Sequence, residues 1–172
     1  MANSTQTNPA STKSLGLPAS EWLDHWQGHR RLTRRTILAF PDDKLFTYSV
    51  GGMRPFAELV VEFLGMGVPG LTGMATGKWP SWEDAETKQK PKPTNKKELL
   101  EQWDEATEKI NELWPQLTPE RFMENDTAFG MWPGSVNSFL FYFIENEIHH
   151  RGQAYVYLRS LGIAPPSFPD RS

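Results

Sequence analysis

The residues of this chain that are best suited to chemistry interrupt an apolar helical pattern. Between residues 135 and 161 apolar residues recur at helical spacing, but Asn146, Glu147 and His150 occupy inward positions in the middle of the pattern. A titratable ring at the centre of an apolar helix face must be hydrogen-bonded, must bind something, or must destabilise the helix. Asn146 lies one turn before His150, so the two side chains can converge on one point.

The other polar residues of this segment have candidate partners on the same helix. His149 is adjacent to His150, and neighbours on a helix point about 100° apart, so the two rings cannot serve one site. We predict that His149 faces outward beside Glu145, and that Glu147 and Arg151 form a second pair at i,i+4 spacing. The polar pair that we expect to face inward is therefore Asn146 and His150.

A second pair of histidines, His25 and His29, lies far from this segment in the sequence. Two imidazoles at i,i+4 spacing on a helix can chelate a metal ion. Asp24 and several arginines flank them, however, and no third ligand is close in the sequence. We therefore predict that both histidines are surface residues and not metal ligands.

Composition narrows the classes of protein to which the chain can belong. Its 172 residues suit one domain, and 18 Lys and Arg against 21 Asp and Glu give a net charge of −3, which argues against a nucleic-acid partner. The absence of cysteine excludes disulfides and thiolate catalysis, and it fits a reducing, cytoplasmic location. No apolar run approaches the length of a membrane span. We predict a disordered tail over residues 1–16 and a single domain over 17–172.

Helix signals divide the domain into four long segments. The first is predicted from Ser20 to Pro41, and the second from about Arg54 until glycines and prolines interrupt it in residues 65–82. The third follows a capping box that begins at Asn95. The last ends at Gly162, a typical residue after a helix C-terminus. With no strand-like alternation, the expected fold is all-α, a four-helix bundle whose up-down order the long second connection leaves open.

Three short runs resemble one protein family. The run NEIHHRGQ at 146–153, GGMR at 51–54 and TGKW at 76–79 are similar to sequences of the DinB/YfiT-like proteins. The resemblance implies a DNA-damage-inducible four-helix bundle that forms homodimers and holds a divalent metal ion. Members typically use one histidine of the second helix and two histidines, four residues apart, of the last helix. The matching positions here are Glu62, Asn146 and His150.

Only one of these three positions is a histidine, and this leaves two hypotheses for function. In the first, the chain is a stress- or damage-associated protein with a degenerate metal site, catalytically inactive or binding a small molecule, in which Glu62 and His150 pair directly. In the second, it is a metal-dependent enzyme, similar to a thiol transferase or hydrolase, with Glu62, Asn146 and His150 as ligands and Arg151 near an anionic substrate. The cofactor would be manganese, iron, nickel or zinc, with the oxygen-rich ligands favouring the harder ions, or there would be none.

Overall fold

Four long helices form the body of the molecule, as the sequence predicts. The computed structural model of the chain describes residues 18–87 and 91–172, so the predicted tail over 1–16 lies outside the described residues. The long helices are α1 (Ala19–Ala39), α3 (Phe56–Thr76), α5 (Lys96–Leu113) and α7 (Val136–Ser160). Short elements connect them: α2 (Asp42–Leu45), α4 (Trp82–Thr87), a 3-10 turn (Trp114–Gln116), α6 (Pro119–Phe122), and strands β1 (Asn125–Ala128) and β2 (Trp132–Ser135). The predicted all-α four-helix bundle is confirmed.

Local signals in the sequence set most of the helix ends. The side chain of Asn95 accepts a hydrogen bond from the Glu98 N–H at the start of α5, and Ser135 accepts one from Ser138 N–H at the start of α7. Gly162 has a φ of 76° and closes α7. The start of α1 differs from the prediction, because the helix begins at Ala19 behind Pro18 and has no side-chain cap.

The bundle has an up-down-down-up order, which the sequence left open. One apolar cluster joins the N-terminal half of α1 to the C-terminal halves of α3 and α5 and the N-terminal half of α7. A second cluster joins the opposite halves of the same four helices. Consequently α1 runs parallel to α7 and α3 runs parallel to α5, with the closest helix pairs being α3 with α5, α3 with α7, α1 with α7 and α1 with α5. The connection from α3 to α5 must therefore return along the length of the bundle.

Between the two apolar clusters the helices contribute polar side chains, which we call the polar layer. Its members are His29, Arg30 and Thr33 of α1, Glu62 of α3, Thr107 of α5, and Asn146, Glu147, His150 and Arg151 of α7. Four of them, His29, Arg30, Glu147 and Arg151, are titratable and have 2–3% of their surface exposed. Buried polar and charged groups of this kind are tolerated only when they are hydrogen-bonded or paired.

The predicted interruption of the second helix is wrong, because α3 continues through its glycines and Pro69 to Thr76. A Cβ atom added at Gly70 would overlap the ring of Phe143, and one added at Gly73 would overlap the ring of Trp79. The glycines therefore allow aromatic rings to lie directly on the helix backbone. This packing offsets the low helix propensity of glycine.

The segment that leads into α7 contains a short hairpin that the sequence analysis read as a loop. Strands β1 and β2 are antiparallel, with Asn125 opposite Ser135 and Ala128 opposite Trp132. At its tip Phe129 and Gly130 both have positive φ, of 53° and 70°. Because β2 contains Pro133 and Gly134, it lacks the alternation of apolar and polar residues by which a strand is predicted from sequence.

By length and hydropathy, α3 could also cross a membrane, a test that core helices of folded domains pass as well. Here 56% of its most apolar window is buried inside the protein. We interpret α3 as the core helix of the bundle.

Candidate functional site

The structure brings together the three residues that the family resemblance selects. Glu62 projects from α3 towards α7, where Oε1 of its carboxylate lies 3.4 Å from His150 Nε2 and accepts a hydrogen bond of 3.1 Å from Asn146 Nδ2. The other oxygen, Oε2, lies 2.5 Å from Nη2 of Arg54, which precedes α3. The convergence of Asn146 and His150 on one point was therefore predicted from spacing alone, whereas the contribution of Arg54 was not.

These donors keep Glu62 ionised. The hydrogen bond from His150 contributes most to lowering the pKa of Glu62, which falls to about 2, with further hydrogen bonds from Arg54 and Asn146 acting in the same direction. Partial burial raises the pKa of the carboxyl but is outweighed. The group is thus an anion over the whole range of physiological pH.

His150 is held from both sides of its ring. Its Nδ1 lies 3.4 Å from Gln153 Oε1, and Gln153 Nε2 lies 3.2 Å from His149 Nε2 on the exposed side of α7. The ring of Phe63 lies 5.9 Å from the imidazole. His149 faces outward as predicted, although its partner in the structure is Gln153 and not Glu145.

The arrangement does not fit a tightly held divalent cation. The guanidinium of Arg54 occupies one carboxylate oxygen of Glu62, and its positive charge would repel a metal ion at that position. Asn146 turns its NH₂ group, and not its oxygen, towards the carboxylate. Among the side chains that the structure describes, no group of three His, Cys, Asp or Glu residues is arranged to hold a metal ion.

A cleft of about 940 Å³ opens beside this cluster. Arg54, Glu58 and Glu62 form a polar wall on one side, and α7, the hairpin, α4 and the α3–α5 connection complete its lining. Most of the lining side chains are apolar or aromatic. Volume and lining are of the kind found in pockets for small molecules, which typically measure about 300–1,000 Å³.

On the other side of α7, the polar layer forms a network that excludes solvent. Thr33 donates a hydrogen bond of 2.5 Å to Glu147 Oε1, and Arg151 donates to Thr33 Oγ1 at 2.9 Å and to His29 Nδ1 at 2.8 Å. Glu147 and Arg151 lie 3.6 Å apart, which confirms the predicted pair. Because Arg151 is buried against α1, it is not available to an anionic substrate as the enzyme hypothesis expected.

The prediction that His25 and His29 are both surface residues is wrong for His29. His25 is exposed, but His29 has 3% of its surface exposed and accepts the hydrogen bond from Arg151. Burial and the positive charge of Arg151 lower the pKa of His29 to about 3. The signal that could have identified it is its position one turn before Thr33 on the same face of α1 as Trp26.

Arg30 is a second buried residue of α1 with a titratable side chain. Its Nε donates to Thr107 Oγ1 at 2.9 Å, and its guanidinium lies 3.8 Å above the ring of Trp103. Burial lowers its pKa to about 10, so the side chain is charged at neutral pH. Together with the Gln27–Asn111 and Arg34–Asp104 hydrogen bonds, this contact fixes the antiparallel register of α1 and α5.

Solved structures share this architecture. A DinB-like protein of Bacillus subtilis, YjoA, matches with a TM-score of 0.71 at 22% identity, over 88% of this chain and 99% of that chain. A DinB-like protein of Bacillus cereus matches with a TM-score of 0.64 at 21% identity, over 86% of this chain and 95% of that chain. The comparison with curated proteins found no match. A family model described as "DinB family" matches residues 1–171, and the chain therefore belongs to the DinB family.

Proposed function

We propose that this DinB-family protein binds a small molecule in the cleft beside Glu62 and that the family's metal site is degenerate in it. The observation that carries the proposal is the direct pairing of Arg54 with Glu62 at 2.5 Å, in the wall of the cleft. A carboxylate that already accepts from three protein donors is fixed in place and keeps little free lone-pair capacity, whereas a ligand for a metal must present free lone pairs. In this proposal Asn146 and His150 hold Glu62 in place.

Binding in the cleft can be tested with 1-anilinonaphthalene-8-sulfonate, a probe whose fluorescence increases when it binds in an apolar cleft. Val61 lines the cleft and Val156 is 53% exposed on α7 outside it. Val61→Trp should fill the cleft and abolish the fluorescence increase, whereas Val156→Trp adds the same ring to the surface and should leave it unchanged. Ser138→Trp, at an exposed position of the cleft lining, provides a second filled variant. Equal probe binding by all four proteins would contradict the proposal.

The alternative function is a metal-dependent enzyme that uses Glu62, Asn146 and His150. It is favoured by one observation: Oδ1 of Asn146 is buried and has no hydrogen-bond partner among the described residues. A cation could satisfy this oxygen if Arg54 moved away. Elemental analysis of protein purified from cells supplied with manganese, iron, nickel and zinc distinguishes the two proposals. We expect metal well below one ion per chain, and a stoichiometric metal would favour the enzyme.

We include in the same proposal an association with stress or DNA damage and a cytoplasmic location. The association with stress or DNA damage rests on family membership over residues 1–171. We expect the amount of the protein to rise after treatment of its cells with a DNA-damaging agent, measured by quantitative immunoblotting of the cytosolic fraction. An unchanged amount would remove this part of the proposal without affecting the cleft.

A further inference from the structure

Three aromatic rings meet at right angles in the lining of the cleft, away from the Glu62 cluster. Trp82 of α4, Phe129 of the hairpin tip and Trp132 of β2, which we call the aromatic corner, all line the cleft. Their ring centroids are 5.1 Å (Trp82–Trp132), 5.5 Å (Trp82–Phe129) and 6.1 Å (Phe129–Trp132) apart, and the interplanar angles are 83°, 87° and 82°. Three perpendicular rings at these separations can form the three walls of one corner, so that a cation in the corner lies over the face of each ring and within about 6 Å of its centroid.

The position of Phe129 is maintained against its own backbone preference. Its φ of 53° lies in the left-handed region, which bulky residues rarely adopt. The ring is 4% exposed and packs on Trp79 at 5.4 Å, so the surrounding structure holds it as the floor of the aromatic corner. Trp132 is 45% exposed and forms the accessible side. Unusual backbone at a bulky residue tends to cluster at ligand sites.

We infer that the aromatic corner binds a compact alkylated ammonium group of the ligand, such as a trimethylammonium; the inference rests on the proposed binding function of the cleft. A flat ring can stack on only one aromatic face, whereas a tetrahedral cation can contact three perpendicular rings at once. The negative face of each ring's quadrupole attracts the positive charge.

Charges elsewhere in the cleft are compatible with a cation. Glu58 and Glu62 contribute two negative charges to the lining, and Arg54 and Lys92 contribute two positive charges. The guanidinium of Arg54 is bound to Glu62, which reduces its repulsion of a second cation. Among the lining residues that the structure describes these charges balance, so the preference for a cation rests on the rings.

The test compares choline with 3,3-dimethyl-1-butanol, its uncharged isostere. Both ligands carry nine equivalent methyl protons, so saturation-transfer NMR titrations of the whole chain give matched readouts. We expect choline to bind about 3- to 30-fold more tightly than the alcohol, the range that cation–π energies allow. Trp132→Leu should remove this preference and Trp132→Phe should retain part of it. Phe141→Leu, which changes a 37% exposed ring outside the cleft lining, is the control.

The outcomes separate this inference from the proposed function. Equal affinity of choline and the alcohol in the wild-type protein, with probe binding still lost in Val61→Trp, would overturn the inference and leave small-molecule binding intact. Loss of the choline preference in Phe141→Leu, or its persistence in Trp132→Leu, would also overturn the inference. Failure of every ligand and of the fluorescent probe to bind would overturn both.

Discussion

Glu62 shows how one carboxylate can organise the polar side chains around it. A histidine at this position would offer a neutral nitrogen to a metal ion, but the carboxylate instead recruits donors from Arg54, Asn146 and His150. Each donor stabilises the anion, and together they lower its pKa to about 2. The three side chains from α3 and α7 therefore lie close together, and the carboxylate oxygens are directed to protein donors.

Restoring nitrogen ligands should restore metal binding. In the double variant Glu62→His with Asn146→His, three imidazoles would converge from α3 and α7, and Arg54 would lose its anionic partner. Because the folded bundle already positions the side chains, little ordering free energy opposes binding. We expect binding of zinc or nickel, measured by isothermal titration calorimetry.

The same double variant with His150→Gln is the control, and it should bind the ion much more weakly. If the double variant binds no more zinc or nickel than the wild-type chain does, the assignment of these three positions as a metal-site remnant is wrong.

The buried pair of Glu147 and Arg151 should contribute strongly to stability. Both side chains are 2% exposed, so Arg151→Met removes one of the two guanidinium groups, with Arg30 remaining, that stabilise the buried Glu147 carboxylate, and it should lower the free energy of unfolding by about 3 kcal/mol. Adding Glu147→Leu should recover part of the loss, since an apolar pair avoids the unpaired charge. Urea denaturation measures both effects.

The exposed pair of Lys109 and Glu112 provides the comparison. Lys109→Met should change the free energy of unfolding by at most about 1 kcal/mol. A loss in Arg151→Met no larger than that in Lys109→Met would show that the buried pair is not a major source of stability.

His29 should make the fold sensitive to acid. Its pKa is about 3 in the folded chain and 6.5 when unperturbed, so between these values the unfolded chain binds one more proton than the folded chain. Stability should therefore fall by about 1.4 kcal/mol for each pH unit below 6.5 on account of this residue. The His29→Gln variant should show a shallower decline between pH 6 and pH 4 in urea denaturation series.

The exposed His149 of α7 provides the matched substitution, because the ring of His25 lies only 4.6 Å from that of His29. His149→Gln should retain the acid-dependent decline of the wild-type protein. A decline of equal slope in His29→Gln and wild type would show that His29 takes up its proton in the folded state.

At the scale of the helices, alanine substitutions of one glycine in α3 and one in α7 should have opposite effects on stability. An alanine at Gly73 would overlap Trp79, so Gly73→Ala should destabilise the protein by about 1–3 kcal/mol. At Gly152 of α7 no atom lies near the added methyl group, and Gly152→Ala should stabilise it by up to about 1 kcal/mol through helix propensity. Thermal and urea denaturation should give opposite signs, and equal signs would refute the packing role of Gly73.

Elements were predictable where their signals are local. Asn95, Ser135 and Gly162 act through hydrogen bonds within a few residues, so the ends of α5 and α7 follow from the sequence. The continuity of α3 was not predictable, because the ring that lies on Gly70 belongs to Phe143, far along the chain. Likewise the burial of Arg30 depends on Trp103 and Thr107 of another helix.

In the candidate site, too, contacts within one helix were predictable and contacts between distant segments were not. Asn146 and His150 share a helix, so their spacing was sufficient to predict that they converge. The link to Glu62 came from family resemblance, since nothing in the second helix alone distinguishes this glutamate from a solvated one. Arg54 was missed because its role depends on how the loop before α3 approaches the helix.

At the scale of the whole molecule, the family resemblance predicts a homodimer. Leu38 of α1 is 47% exposed, and Met123 and Met131 beside the hairpin strands are 80% and 59% exposed, so apolar surface outside the cleft is available for a second copy. We expect multi-angle light scattering to give twice the chain mass of 19.6 kDa. A mass equal to one chain at micromolar concentration would contradict the prediction.

The position of the polar layer has a consequence for how the protein is made. Thr33 of α1 finds its partner Glu147 only 114 residues later, on the last long helix of the bundle. While a ribosome has produced α1, α3 and α5 but not α7, His29 and Thr33 still need water as their hydrogen-bond partner. The nascent bundle therefore cannot close, and its apolar helix faces are open to chaperones until α7 emerges from the exit tunnel.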